Sequence, residues 1–263
     1  MPTTQTDAAR STRTPVLLRN NPPLIEALCE IRFKSAFENV GAILLGPVFK
    51  KFHGPNQKFE QTAFPQLPAQ LTSQIPALAN IAYTPRFRLS GDGRAIAVGD
   101  CIVAVSLQQY SGWANLKSFL GEVWTEVATL GLNLEIERIS TKYVNLLEGI
   151  GPGDLTRSLN VVFTIGQTQQ GEHKSLFLRE ERQIDDCTVV TQIISPATVN
   201  TGIKSGRSGL ILDIDVIKYG PIDNFNSAWT DEFETVHAIA ERTFFGLLTE
   251  EALSGYDPQY SDL

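Results

Sequence analysis

Hydrophobic and polar residues alternate in the first apolar segment of the chain, residues 24–33. One side of this segment carries Ile25, Ala27, Cys29, Ile31 and Phe33. The other side carries Glu26, Glu30 and Arg32. A period of two is typical of a β-strand with one face against the core. The pattern therefore predicts a half-buried strand with a charged outer face, which begins after two prolines.

Three other segments repeat their apolar residues at helical spacing. The apolar stripe is broad in residues 113–130, and Gly131 follows it as a residue that favours helix ends. Residues 229–248 form a second amphipathic segment. Residues 39–53 form a third, in which Pro47 removes one backbone donor and predicts a kink. We expect three helices, the first of them kinked.

Two groups of short β segments accompany these helices. The first, residues 86–107, turns at a Gly-Asp-Gly sequence, which is a hairpin signal. The second, residues 175–218, follows a long β-rich segment at residues 134–147. Each group predicts a three-stranded antiparallel meander. Residues 55–80 show no clear period and predict a long surface connection, and the tail after residue 251 is expected to be irregular.

The same order of elements occurs twice: a long strand, a helical or turn segment, a three-stranded meander and a helix opened by tryptophan. We expect residues 21–133 and 134–263 to be two similar α+β halves from an internal duplication, after a disordered arm at residues 1–20. Their apolar faces would form one curved antiparallel sheet with the long helices packed on one face. The other face of the sheet would stay partly open.

The net charge and the hydropathy of the chain argue against several functional classes of protein. The formal net charge is -7, which argues against binding to nucleic acids or anionic membranes. The N-terminal arm lacks the apolar core of a signal peptide, and no apolar run is long enough to cross a bilayer. These features predict a soluble, cytoplasmic protein. Cys29, Cys101 and Cys187 lie far apart and outside metal-binding spacings, so we expect buried, reduced thiols.

The polar side of the predicted strands supplies the first candidate site. Charged residues alternate along three strands, at Glu26, Glu30, Arg32, Arg138, Lys142, Asp213 and Asp215. Ion pairs on a solvated face explain this pattern, and a surface that binds a partner or ligand is the functional alternative. Asp213 and Asp215 could hold a divalent cation with Glu26 or Glu30, although cross-strand pairs with Lys or Arg explain them equally well. We assign no metal.

The opposite face of the middle strand carries Tyr143 and Asn145, which are candidates for ligand contact. A core tyrosine with a satisfied hydroxyl is the simpler interpretation. His237 lies within the last amphipathic segment, and we expect it to be structural because the sequence identifies no nucleophile for it to activate. The chain has no phosphate-binding, dinucleotide-binding, zinc-protease or nucleophile-elbow motif, so no cofactor is predicted.

The segment NPPLIEALCEIRF at residues 21–33 resembles the N-terminal NPPxxEAxxEIRF signature of a sporadically distributed bacterial family of uncharacterised proteins. The Tyr-Val-Asn sequence at residues 143–145 and the Asp-Ile-Asp sequence at residues 213–215 fit the same resemblance. The family has no settled activity, so the resemblance implies no catalytic residue. Its patchy distribution implies mobile or accessory genes with a link to defence.

An extensive scaffold without a catalytic constellation favours a non-enzymatic binding or regulatory module that recognises a protein or a small ligand. A protein partner or self-association is expected. The alternative is a hydrolase or nucleotide-processing enzyme that uses the sheet-face carboxylates Asp213, Asp215 and Glu26 or Glu30. A nucleic-acid binder would use the same face, and the negative charge argues against it.

Overall fold

A large antiparallel sheet dominates the structure, a computed structural model that describes residues 15, 17–62, 83–162, 174–200 and 204–260 of the chain. The strands of this part of the chain are β1 (Leu17–Leu18), β2 (Leu24–Lys34), β3 (Lys58–Gln61), β4 (Phe87–Gly91), β5 (Arg94–Gly99), β6 (Ile102–Leu107), β7 (Glu135–Glu148), β8 (Leu176–Ile184), β9 (Cys187–Thr198), β10 (Ser208–Tyr219) and β11 (Pro258–Gln259). Nine of them form one sheet, and β1 pairs separately with β11.

The long strands β2 and β7 lie side by side at the centre of the sheet, whose order is β3-β4-β5-β6-β2-β7-β10-β9-β8. Cys29 is opposite Thr141 in this central pair, and Ile31 is opposite Ile139. The far side of each central strand pairs with the last strand of a meander, β6 beside β2 and β10 beside β7. The predicted α+β class and both predicted meanders are confirmed.

Five α-helices occur in the described residues: α1 (Val40–Phe52), α2 (Trp113–Ala128), α3 (Leu155–Ser158), α4 (Phe225–Leu247) and α5 (Glu250–Ser254). α2 packs against β6 and β2, whereas α4 packs against β10 and β7. α4 starts at Phe225 instead of residue 229, because Asn224 takes a positive φ of 51° that a short polar side chain tolerates. None of the helices in these ranges has the length and apolar character needed to cross a membrane.

The apolar face of β2 lies in the core. Ala27, Cys29, Ile31 and Phe33 are all 0 % exposed. The buried stripes of α2 and α4 pack in the same core, with Leu116, Phe119, Leu120, Val123, Phe233, Val236 and Ile239. Burial of each large apolar side chain contributes about 1.5–3 kcal/mol, so these contacts hold the helices on the sheet.

Two turns have the chemistry that the sequence predicts. Between β4 and β5, Asp92 and Gly93 have positive φ angles of 51° and 73°. Two successive residues with positive φ form the tight turn that suits a twisted hairpin. After α2, Gly131 has a φ of 63°, a left-handed conformation that glycine adopts without steric cost.

The two ends of the described chain meet, although the sequence predicts a disordered arm and an irregular tail. Leu17 and Leu18 pair with Gln259 and Pro258, respectively. The backbone N–H of Asn20 then donates to the carbonyl of Tyr256 at 3.0 Å. Strands of two residues have no measurable alternation, so the sequence pattern cannot reveal them. Residues 1–14 lie outside the described part.

The predicted surface connection, residues 55–80, begins with an edge strand. β3 pairs with β4, and Lys58 is opposite Ser90 in this pair. All four residues of β3 are exposed. A strand without a buried face shows no alternation of apolar residues, which is why the sequence does not predict it. The rest of the segment, from residue 63, falls outside the described residues.

The three cysteines are free thiols, as expected, and Cys29 and Cys187 are buried. Burial raises the pKa of both thiols to about 12. It also raises the pKa of Cys101, which is half-buried. Because the thiolate is the reactive form of cysteine, all three side chains are poor nucleophiles near neutral pH.

Candidate functional site

The two faces of β7 carry two different groups of polar side chains. Lys142 is opposite Leu28 of β2 and Asp215 of β10, on the charged face that the sequence predicts. Tyr143 is opposite Ala27 and Ile214, on the face that contacts α4. Residues that are adjacent in sequence therefore belong to two separate candidate sites.

We call the charged residues of the first face the ionic ladder: Glu26, Glu30, Arg32, Arg138, Lys142, Asp213 and Asp215. The side chain of Arg138 lies at its centre, with Nη2 at 3.6 Å from Oε1 of Glu30 and 3.7 Å from Oδ2 of Asp215. Nε of Arg32 donates a hydrogen bond to the same Glu30 oxygen at 2.6 Å. The ladder thus crosses the three central strands as a series of ion pairs.

The far end of the ionic ladder lies on β10. Nζ of Lys142 is 3.0 Å from Oδ2 of Asp213, which also accepts a hydrogen bond from Nε2 of Gln192 at 3.2 Å. The side chains of Asp213 and Asp215 are 13 % and 17 % exposed. Burial raises the pKa of both carboxyl groups, and the neighbouring Lys142 and Arg138 oppose this shift. Glu26 adds to the raised pKa of Asp213 through its negative charge.

The ionic ladder does not assemble a metal site. In the part of the chain that the structure describes, no group of three or more His, Cys, Asp or Glu side chains could hold an ion. Lys142 lies 3.0 Å from Oδ2 of Asp213, and Arg138 lies 3.7 Å from Oδ2 of Asp215. A cation bound there would have to displace these ion pairs and tolerate two nearby positive charges.

A cavity of about 290 Å³ opens on the other face of β7. We call it the aromatic pocket. Residues 22–24, which precede and begin β2, form one edge of it. The loop before α2 contributes Tyr110, and β7 contributes Tyr143 and Asn145. β1 contributes Leu18, and Ser111 lies at the edge just before α2. The other side chains come from the start of α2 and from one stripe of α4, namely Trp113, His237, Ala240, Glu241, Phe244 and Phe245.

A histidine between aromatic rings occupies one wall of the pocket. The hydroxyl of Tyr143 lies 2.8 Å from Nδ1 of His237. The indole of Trp113 stacks on the imidazole with ring centroids 4.3 Å apart, and its Nε1 donates to Glu234 at 2.8 Å. Tyr110 packs edge-on against Tyr143 with centroids 5.9 Å apart. These contacts fix the orientation of all four rings.

Burial sets the protonation states of these groups. It lowers the pKa of His237 to about 4, because the charged imidazole is the harder form to desolvate. The ring is therefore neutral near pH 7, and Nδ1 can accept a hydrogen bond from the Tyr143 hydroxyl. Burial raises the pKa of Tyr110 and Tyr143, so both phenols keep their protons. It also raises the pKa of Glu241.

Asn145 has a structural role in this wall. Its side chain is 3 % exposed and its Nδ2 donates to the carbonyl of Leu212 on β10 at 3.2 Å. Its backbone lies opposite Leu24 of β2. Asn145 therefore ties the proline-rich edge of the pocket to the sheet, while Tyr143 presents the ring that faces the cavity.

A buried lysine holds the proline-rich edge from outside. Lys204 is 5 % exposed, and its Nζ donates to the carbonyl of Pro22 at 2.8 Å. The same atom lies 3.0 Å from Oε1 of Glu148, which also pairs with Arg207. Because the lysine is neutralised by Glu148, it can stay buried while it fixes the Pro22 backbone.

No model of a known protein family matches the chain, and no curated protein does. The function must be argued from the aromatic pocket and the ionic ladder themselves.

The sequence pattern predicts the ladder and only part of the pocket. It predicts Tyr143 and Asn145 as candidates and His237 as a structural residue, whereas Tyr110, Trp113, Glu241 and the two phenylalanines are missed. A signal was present in α4, where Glu241 and Phe245 follow His237 by about one and two turns on the same face. The sequence could not reveal that the loop before α2 reaches this face, since that depends on tertiary packing.

A larger cavity, of about 690 Å³, lies between the end of α2 and the start of α4. Its polar side chains are those of Asn133, Glu135, Asp223, Asn224, Asn226 and Ser227. Among the described residues that line it there is no Tyr, His, Lys or Arg. Binding sites combine apolar walls with a few converging polar groups, and the aromatic pocket meets that description better.

Proposed function

We propose that this protein is a non-enzymatic binding module that takes up a small ligand in the aromatic pocket. The observation that carries the proposal is the fixed arrangement of Tyr143, His237 and Trp113 beside a cavity of about 290 Å³. The walls are mainly apolar, so they suit a ligand with an apolar body. The convergence of four titratable side chains with burial-shifted pKa values on one cavity also marks functional sites.

The pocket favours binding over catalysis. Nδ1 of His237 is bonded to a phenol, so it is not available to activate a stronger nucleophile. The hydroxyl of Ser111, at the edge of the pocket, accepts a hydrogen bond from Asn115 at 2.6 Å. The three cysteines lie outside the lining. His237 and Ser111 are therefore engaged in hydrogen bonds and no cysteine is among the described lining residues, which disfavours a covalent mechanism.

The ionic ladder favours a structural role. Glu30, Asp213 and Asp215 each lie beside Arg32, Arg138 or Lys142, so the charges of these three carboxylates are largely balanced within the sheet. An enzyme that used these three carboxylates would first have to break their ion pairs. We propose that the ladder fixes the register of β2, β7 and β10, because a slip of one residue would bury charges in the core.

We also propose that residues 21–133 and 134–263 arose by internal duplication and carry their long helices on one sheet face. The strand order supports this, since each half pairs its long strand with the last strand of its meander. In each half the following helix packs on those two strands. The two helices also contact each other through Trp113 and Glu234, and through Trp229 at Gly121.

The family resemblance gains support from where its residues lie. Residues 22–24, Tyr143 and Asn145 line the aromatic pocket, although they are distant in sequence. Asp213 and Asp215 lie in the ionic ladder with Glu30 of the same N-terminal segment. We propose on this basis that the chain belongs with that bacterial family and that the pocket is its shared feature.

The proposed binding is tested with three probes of the same shape and different charge: phenethylamine, 2-phenylethanol and 3-phenylpropanoate. Isothermal titration calorimetry would measure each probe on the wild type and on Ser111→Phe. Ser111 is exposed at the edge of the pocket, so a phenylalanine there should obstruct entry without disturbing the core. At least one probe should bind, and Ser111→Phe should weaken it by about tenfold or more.

The control is Thr235→Phe, which adds the same ring to an exposed position of α4 outside the pocket lining. This variant should bind like the wild type. Failure of all three probes to bind at millimolar concentration would contradict the proposed function. Equal binding to Ser111→Phe would contradict the choice of pocket.

A second candidate function, attachment of a protein partner or a second copy, is favoured by the edge strand β8. Among the described residues β8 pairs on one side only, with β9, and Phe177 is 63 % exposed on it. Free strand edges can pair with another chain. Light scattering after size exclusion should show a dimer that Phe177→Ser weakens. A monomer at all concentrations would count against self-association.

A further inference from the structure

Glu241 is a half-buried carboxylate whose charge is not balanced by any described residue. Burial is what raises its pKa, and no cation of the described chain contributes to that pKa. Glu234, two turns earlier on α4, differs in this respect. It pairs with Lys117 and accepts a hydrogen bond from Trp113, and its pKa is lowered. Among the described residues, Glu241 therefore lacks a positively charged partner of the kind that Lys117 provides for Glu234.

The surroundings of Glu241 are aromatic. Tyr110 and Trp113 lie on one side of the lining, and Phe244 and Phe245 follow Glu241 on α4. The rings of the two phenylalanines are 5.1 Å apart between centroids. Aromatic faces carry negative electrostatic potential and attract cations, most strongly where water is excluded. A carboxylate beside several such rings forms an environment that favours positive charge.

The described side chains that line the pocket offer an anion no positive charge. Neither Lys nor Arg occurs among the described residues that line the pocket. His237 is neutral near pH 7, since burial lowers its pKa to about 4. Lys117 lies near this wall, but it is paired with Glu234. A carboxylate or phosphate ligand would thus meet the charge of Glu241 without a compensating cation.

We infer that the aromatic pocket is selective for small organic cations, that is, amines with an apolar body, and that Glu241 is the counter-ion of their ammonium group. The apolar body would lie against the rings of Tyr110 and Trp113. A ligand that closes the pocket would remove water from Glu241, and an ammonium group compensates that loss with a charge-assisted hydrogen bond. This inference rests on the proposed function of the pocket.

The test compares the same three probes on the wild type and on Glu241→Gln by calorimetry at about pH 7. Phenethylamine should bind the wild type at least about tenfold more tightly than 2-phenylethanol, and 3-phenylpropanoate should bind most weakly. Glu241→Gln should remove this preference: it should weaken phenethylamine by about tenfold and leave 2-phenylethanol nearly unchanged. Glutamine keeps the shape of the side chain, so the loss would report its charge.

Asp231→Asn serves as the matched control, because Asp231 is an exposed carboxylate on the same helix and lies outside the lining. It should leave the preference for phenethylamine intact. If 2-phenylethanol or 3-phenylpropanoate binds as tightly as the amine and Ser111→Phe blocks it, the cation inference is wrong while the proposed function holds. If none of the probes binds, both are wrong. An unchanged amine affinity in Glu241→Gln would overturn the role of Glu241.

Discussion

The ionic ladder and the aromatic pocket lie on opposite faces of the same strand. They differ in whether a buried charge has a partner of opposite charge among the described residues. On one face, Arg138 and Lys142 each lie beside a carboxylate of a neighbouring strand. On the other face, Glu241 enters an apolar cavity without a cation from the described chain. Charges that are matched within the fold stabilise it, whereas an unmatched charge beside a cavity is available to a ligand. On this criterion the ionic ladder is a structural network and the aromatic pocket is a binding site.

The largest effect is expected from removing the central cation of the ladder. Arg138→Met would leave Glu30 and Asp215 partly buried without their shared partner, which should lower the free energy of unfolding by about 3 kcal/mol. Urea unfolding followed by circular dichroism measures this change. Probe binding in the aromatic pocket should persist in the folded variant, because the sheet separates the two sites.

Arg179→Met is the control for that substitution. Arg179 pairs with Glu181 on the edge strand β8, and both side chains are about half exposed. Exposed ion pairs contribute little, so this variant should lose less than about 0.5 kcal/mol. A similar loss from both arginines would show that partial burial of the ladder has no energetic consequence, and the structural interpretation of the ladder would fail.

The second-largest effect is the pH dependence that His237 gives to the free energy of unfolding. Its pKa is lowered in the folded state from 6.5 to about 4. As the pH falls below 6.5, His237 therefore binds a proton in the unfolded chain but not yet in the folded chain. The stabilisation is present above the unfolded pKa and is lost as the pH falls towards about 4. From about pH 7 to about pH 4.5 the wild type should lose about 2 kcal/mol through this group.

His237→Phe isolates this contribution, because phenylalanine preserves a ring beside Trp113 and does not titrate. The carboxyl groups of Asp213, Asp215 and Glu241, whose raised pKa values act in the opposite direction, are present in both proteins and cancel in the comparison. Chemical unfolding at both pH values measures the difference. If the two proteins lose stability in parallel on acidification, His237 is not a buried neutral group.

The smallest effect is a slight gain of stability in Glu241→Gln. The raised pKa of Glu241 means that its ionised form is disfavoured in the folded state, so this group stabilises the fold below its unfolded pKa and loses that contribution as the pH rises. The variant with the neutral amide should therefore be more stable at about pH 7, by less than about 1 kcal/mol because the carboxylate is only partly buried. Thermal unfolding measures the change.

The same substitution at Glu234, on the same helix, should have the opposite effect on stability. Glu234→Gln breaks contacts with Lys117 and weakens the one with Trp113, so it should lower stability instead. Opposite signs for two Glu→Gln changes on one helix would support an unmatched Glu241. A destabilised Glu241→Gln would show that its carboxylate has a favourable partner in the folded chain.

The ionic ladder was accessible from sequence because strand geometry is local. Alternation along β2, β7 and β10 already assigns Glu30, Arg138 and Asp215 to one face, and antiparallel neighbours then bring them together. The degree of burial was not accessible, since it depends on the whole sheet. The ladder was expected to be a solvated face, but the side chain of Arg138 is 16 % exposed.

The aromatic pocket depends on contacts that no local pattern encodes. Trp113 opens α2, and its stacking on His237 of α4 joins residues that are distant in sequence. In the helical pattern Glu241 appears as one more polar residue at the border of an apolar stripe. The lack of a cation beside it among the described residues depends on tertiary packing, which the pattern does not encode. The pattern does not predict the paired strands β1 and β11 either, because a strand of two residues is too short to show an alternation of apolar and polar residues.

A crystal structure of the protein soaked with phenethylamine tests the cation selectivity of the aromatic pocket. The probe should lie in the aromatic pocket, with its nitrogen within hydrogen-bond distance of Glu241 and its ring against Tyr110 or Trp113. Density for the probe along the ionic ladder, near Asp213 and Asp215, with the aromatic pocket empty, would contradict this prediction.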